Sequence, residues 1–184
     1  MDFATVIAIL LAGIFSSNFA LIECLGTGAV IENERSNRRS LIVGGGTTLV
    51  MVIATLITWP INKYLLTNIP YLQTLIFVVV ILVVVELVHL LAKNRLEGYC
   101  KVDFLKFAIN GAVLGLCIHN SHEVFVEALF NAFAVGLGLT LTMVVFSSLQ
   151  RKVDEEAVPA SFRGLPIALL IAGMMVLALL ALYI

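Results

Sequence analysis

Long charge-free apolar runs separated by short polar segments make up the whole chain. The first run covers Phe3 to Ile22, meets Glu23 and Cys24, and resumes from Leu25 to Ile31 before the charged stretch that ends at Arg39. The second covers Ser40 to Asn62 and closes on Trp59-Pro60, an interfacial aromatic followed by a helix stop. After a short loop from Asn62 to Tyr71, the third runs from about Leu72 to Leu91 and is dense in valine and isoleucine between Val78 and Val85. β-Branched density alone would suggest a strand, but a barrel strand spans with about 10 alternating residues and this run does not alternate. The fifth and sixth runs cover Ala128 to Gln150 and Gly164 to Ile184. Each of these is close to the roughly 20 apolar residues that a crossing helix needs.

The fourth run is the exception. Phe107 to Ile118 supplies only 12 residues between Lys106 and His119, the length of a re-entrant or half-helix element. The first run carries a glycine-bearing tail that can unwind. The pattern therefore predicts an all-α membrane protein of six transmembrane helices in one membrane domain, residues 1–184, with the first and fourth helices broken.

Composition agrees with this reading. Hydrophobic residues are 61% of the chain and charged ones 12%, with a mean hydropathy of +1.08, against about 45–50% apolar residues in soluble domains. The net charge of −1 gives no basic surface for nucleic acid. Three cysteines, Cys24, Cys100 and Cys117, form neither a secreted disulfide framework nor a CxxC metal pair. The first run lacks a basic leader and begins beside Asp2, so it is read as a mature span and not a cleaved signal.

Charge also sets an orientation. Ten of the eleven lysines and arginines lie after the first, third and fifth runs: Arg35, Arg38 and Arg39; Lys93, Arg95, Lys101 and Lys106; Arg151, Lys152 and Arg163. Only Lys63 lies on the other side. The positive-inside rule then makes loops 32–39, 93–106 and 151–163 cytoplasmic and both termini external, in a cell (inner) membrane.

A repeat underlies the six runs. A shift of 92 residues lays Val43–Val52 on Val135–Val144 with seven of ten positions identical, among them Gly44 on Gly136, Gly46 on Gly138 and Thr48 on Thr140; it also lays Asn18 on Asn110. Three spans per half is odd, so the halves, 1–92 and 93–184, are expected to be an inverted repeat with its working site near the midplane.

Several stretches resemble one family. Asn18-Phe19-Ala20-Leu21 through Leu25-Gly26, Asn110 followed by Ala112-Val113-Leu114-Gly115, and Val158-Pro159-Ala160-Ser161-Phe162-Arg163-Gly164 are similar to the paired small membrane subunits of Rnf and Nqr ion-translocating oxidoreductases, in this order and across essentially the whole chain. Glu86 matches an acidic position that the family has near the end of its third helix. The external termini resemble the RnfA/NqrE branch. The resemblance implies a subunit that supports transmembrane electron transfer coupled to sodium or proton movement, not an enzyme alone, with other subunits of the complex as partners, above all a paralogous six-helix subunit. It also implies a two-iron, two-sulfur cluster between two such subunits, held by cysteines that here are replaced by Gly28 and Gly111. Thiolates ligate such clusters. Cys24 and Cys117 are the substitutes available in sequence, yet about 1.5 Å of rise per residue sets them about 20 Å apart along the membrane normal if Asn18 and Asn110 share a depth.

Polar groups inside apolar runs are site candidates because hydrocarbon penalises them. Asn18, Glu23, Asn110, Glu86 and His89 are the candidates for an ion or substrate path, with Glu86 and His89 three apart on one helix face. For each there is a plain alternative: interhelical hydrogen bonding for the asparagines, reach to the headgroups for Glu23, Glu86 and His89, and small apolar packing for the cysteines. His119, His122 and Glu123 form a sparse metal-like set in a loop that reads as solvated. The glycines at 44–46, 136 and 138 favour close helix packing. A second function fits the glycine replacements: a relative acting without iron, as an inverted-repeat transporter or channel-like module in the bilayer, as a homodimer.

Overall fold

The computed structural model describes residues 37–66, 69–96, 111–153 and 159–183, together with Gly13. Five α-helices are found among the described residues, and no strand: α1 (Asn37–Tyr64), α2 (Gln73–Leu96), α3 (Gly111–Asn120), α4 (Phe125–Lys152) and α5 (Leu165–Tyr183). Short 3-10 turns at Pro70–Leu72 and Ala160–Phe162 precede α2 and α5. The segment Ser40–Tyr64 and helix Phe125–Lys152 are long and apolar enough to cross a membrane, with mean hydropathies of 2.1 and 2.0.

These two helices form the centre. Ser148 Oγ bonds Asn37 Oδ1 at one end, and Trp59 Nε1 donates to the Glu123 carbonyl, just before α4, at the other, so α1 and α4 run antiparallel. They close on each other where side chains vanish. A Cβ added at Gly44 would lie 2.8 Å from the Thr140 Cα, and one at Gly136 would lie 2.9 Å from the Thr48 Cα. The two threonine hydroxyls meet at 3.2 Å. Small residues let helices approach this closely, which matters in a membrane because lipid tails are as apolar as leucine and give no hydrophobic drive to pair.

The remaining helices pack on this pair. α2 and α3 lie against α1 and each other, and α5 lies against α4. On α2, Phe77, Ile81, Val84, Val85 and Val88 are buried while Leu75, Val79, Leu82, Val83 and Leu87 are exposed, the alternation of two faces at helical spacing. α3 has 10 residues, about 15 Å of helix, roughly half of a 30 Å hydrocarbon layer; residues 97–110, which precede it, lie outside the described set. The Pro159–Gly164 part of the family-like motif makes the 3-10 turn Ala160–Phe162, followed after Arg163 by Gly164 with φ +81°. Only glycine takes that conformation without penalty, and it launches α5, whose second residue, Pro166, sits where the first turn needs no donor.

Several expected boundaries move. Pro60 does not stop α1, which carries it inside and runs on to Tyr64. Proline forfeits one bond to the preceding turn, but so near a helix end there is little helix left to disrupt, and the last turn is held by contacts from other elements. α2 extends through Lys93 to Leu96, and α4 starts at Phe125, three residues before the apolar run. His119 belongs to α3 and not to a loop.

Candidate functional site

Where α1 ends and α3 meets α4, the structure ties polar side chains into one knot. Asn120, the last residue of α3, is 1% exposed. Its Nδ2 donates to the Ala128 carbonyl at 3.1 Å and reaches Thr55 Oγ1 at 3.5 Å, while Asn131 Nδ2 donates to its Oδ1 at 2.8 Å. One amide thus joins α1, α3 and α4. Satisfying every arm is what makes such burial tolerable, since an unmade buried hydrogen bond costs about 1–3 kcal/mol. The next residue extends the knot: Ser121 Oγ donates to the Ile118 carbonyl at 2.7 Å and accepts from Gln73 Nε2 at 2.9 Å, and the Ser121 carbonyl accepts from Asn62 Nδ2 at 3.1 Å. The α3–α4 turn is therefore clamped to both α1 and α2.

A second polar line of buried hydroxyls runs along α1 and α4, with Thr55 and Thr58 turned toward α3. Ser40, Thr47, Thr48, Thr55, Thr58, Thr142 and Ser147 are all buried. Several of these hydroxyls return to their own helix: Thr47 and Thr48 to the Gly44 carbonyl at 2.8 Å, Thr58 to Ala54 at 2.8 Å, with half-buried Thr140 to Gly136 at 2.9 Å and Ser148 to Val144 at 2.8 Å. Such back-bonding hides hydroxyls from an apolar surround.

Of the sequence candidates, Asn18, Glu23, Cys24, Gly28 and Asn110 lie outside the described residues. Glu86 is exposed on α2, and His89 follows it by one turn of the same helix. Cys117 is buried on α3, 1% exposed, with its thiol beside the hydroxyls of Thr58 and Thr55. Gly111 opens α3 and is exposed. Six helical residues put Cys117 about 9 Å further along the axis and about a third of a turn away from Gly111. The described residues therefore do not fit an iron–sulfur cluster at the position that the resemblance implies: Gly111 has no ligand, and the one described cysteine faces inward against threonines. No group of three or more His, Cys, Asp or Glu gathers among the described residues, so His119, His122 and Glu123 make no metal set there. Cys117→Ser is expected to leave the iron content of purified material unchanged, as read by metal analysis; iron lost in parallel with the thiol would make Cys117 a ligand.

Asn120, Asn131 and the threonine line are the residues that a reading of the sequence passes over. The available signal was an amide and a serine, Asn120-Ser121, ending a run too short to cross.

A family model described as "Rnf-Nqr subunit, membrane protein" matches residues 6–184. The chain is 32% identical over 183 residues, 96% of this chain and 95% of the relative, to the A subunit of the Na(+)-translocating ferredoxin:NAD(+) oxidoreductase complex of Acetobacterium woodii. It is 34% identical to the A subunit of an ion-translocating oxidoreductase complex of Sodalis glossinidius, with 88% of both chains covered, and 34% identical to its counterpart in Syntrophotalea carbinolica, with 92% of both covered.

Proposed function

The chain belongs to the Rnf-Nqr family of membrane subunits, and from that premise we propose that it serves as the A subunit of an ion-translocating oxidoreductase complex, supporting electron transfer across a cell membrane coupled to sodium or proton movement. The observation that carries this reading is the match to subunits of that name over nearly the full length of both chains. It is not an enzyme by itself. Its partners are the other subunits, a paralogous six-helix chain foremost.

The chain's own contribution is the inverted-repeat scaffold. Thr48 and Thr140, 92 residues apart, touch at the α1–α4 crossing, and a residue meets its repeat-mate only close to a two-fold axis. That contact supports halves 1–92 and 93–184 related across the membrane plane, and the bias of lysine and arginine supports external termini with loops 32–39, 93–106 and 151–163 cytoplasmic. Asn18, Glu23, Asn110, Glu86 and His89 remain the candidates for the ion path.

Gly111 and the inward Cys117 favour a subunit that holds no cluster of its own. Two arrangements follow: a complex in which a partner carries any iron, or an iron-free module acting as a homodimer that moves a solute. Anaerobic purification from native membranes in mild detergent, with iron, acid-labile sulfide and subunit composition measured together, separates them. Co-purification with redox subunits supports the complex, and the chain recovered alone as an iron-free homodimer overturns it.

A further inference from the structure

Beside the Ser121 clamp, an open cleft of about 800 Å³ lies between the end of α1, the start of α2 and the α3–α4 turn. Its size falls in the range of about 300–1,000 Å³ usual for small-ligand sites. We propose that this cleft binds the headgroup of a zwitterionic amine phospholipid, a phosphoethanolamine, with Lys63 taking the phosphate and the Glu123 carboxylate taking the ammonium.

Three observations carry this. The first is position: the cleft sits where an apolar span of α1 gives way to Trp59, Asn62 and Lys63, and tryptophan with a neighbouring cation is the signature of the headgroup layer. The second is complementary charge. Lys63 and Glu123 both line the cleft and both are exposed, so a cation and an anion border the same space, with the His122 imidazole beside them. A headgroup carrying one of each matches both, whereas an anionic headgroup leaves Glu123 opposed and a choline offers Glu123 no N–H to bind. The Lys63 ammonium is placed 4.8 Å above the Trp59 ring, and the Trp59 indole bonds the Glu123 carbonyl at 2.9 Å, so one aromatic positions both charged residues. The third is pre-organisation. The Phe125 ring packs on Trp59 at 4.9 Å with a 60° tilt, Asn62 and Gln73 hold the turn through Ser121, and a site already in shape loses little affinity to ordering. Leu66 and Val124 supply apolar lining for the glycerol and upper acyl chains.

The test is native mass spectrometry of the full chain, delipidated in detergent and titrated with dioleoyl phosphatidylethanolamine, phosphatidylglycerol or phosphatidylcholine. One phosphatidylethanolamine is expected to bind at least about tenfold more tightly than either other lipid, and Lys63→Gln and Glu123→Gln are each expected to weaken it about tenfold, with Arg151→Gln as an unaffected control outside the cleft. Equal binding of the three lipids, or variants that bind as the parent does, would overturn the assignment. So would free phosphoethanolamine competing at the same concentration as the lipid, which would make the ligand a soluble one. Should a variant fail to fold, the parent's preference among the lipids decides alone.

Discussion

Alanine at Gly136 is expected to lower the thermal midpoint of the detergent-solubilised protein by about 2–12 °C, taking about 1–3 kcal/mol for overpacking and about 2–4 °C per kcal/mol for a chain this size. The new methyl would lie 2.5 Å from the Thr48 Cγ2 and 2.9 Å from its Cα. The methyl of Thr48 can rotate away, but its Cα belongs to the backbone, so α1 and α4 must separate along their length. Gly44→Ala should behave alike, because Thr140 opposes it with a Cα at 2.8 Å. Gly45→Ala provides the contrast. Nothing lies within 4 Å of a Cβ there, and alanine is favoured over glycine inside a helix by about 0.5–1 kcal/mol, so its midpoint should hold or rise. Melting curves of the three variants, followed by size-exclusion recovery, check this; equal losses at Gly45 and Gly136 would show that close approach is not what the glycines provide.

Removing the Asn120 amide is expected to be of similar size. Asn120→Leu keeps the branched shape, in larger volume, but takes the side-chain partner from the half-buried Asn131 amide and the second donor from the Ala128 carbonyl, a loss of about 1–3 kcal/mol in all. Asn120→Asp should be worse, since a carboxylate oxygen replaces the donor that faces the Ala128 carbonyl at 3.1 Å. Coupling distinguishes a knot from a set of separate bonds. Asn131→Ala should cost stability in the parent and little more in the Asn120→Leu background, because the contact between the two amides is then already gone. Thermal melts of the four proteins measure it, and additive losses would mean the two amides act independently.

Much of this was legible in the sequence. The 92-residue shift put Gly44 over Gly136 and Thr48 over Thr140, and these four positions meet at the centre of the described helices. Helix positions came from apolar runs, but their ends did not. The runs stop at the first charge, whereas helices keep their backbone bonds through the polar residues of the headgroup layer, as α2 does through Lys93 and α1 does past Pro60. Asn120 escaped for a related reason: at the end of a 12-residue run it looks like the start of a loop, and only the packing of α1 and α4 around it makes it a buried hub. Gly28 and Gly111 stand where the resemblance expects cysteines, and of the two only Gly111 lies among the described residues. The orientation of Cys117 was not legible, because six residues of helix change the face and spacing alone does not say which face looks inward.

The hydroxyls at the α1–α4 crossing already donate to carbonyls of their own helices. A hydroxyl has one proton, so the contact between Thr48 and Thr140 brings two oxygens together without needing a bond to hold them. At the crossing itself the two helices are thus joined by fit, while the bond between Ser148 and Asn37 fastens one end. Small rocking of one against the other leaves the hydroxyl-to-carbonyl bonds within each helix intact and meets the short-range resistance of packed atoms. In mechanical terms the crossing is a bearing, a contact that tolerates sliding in a solvent that supplies no replacement hydrogen bonds.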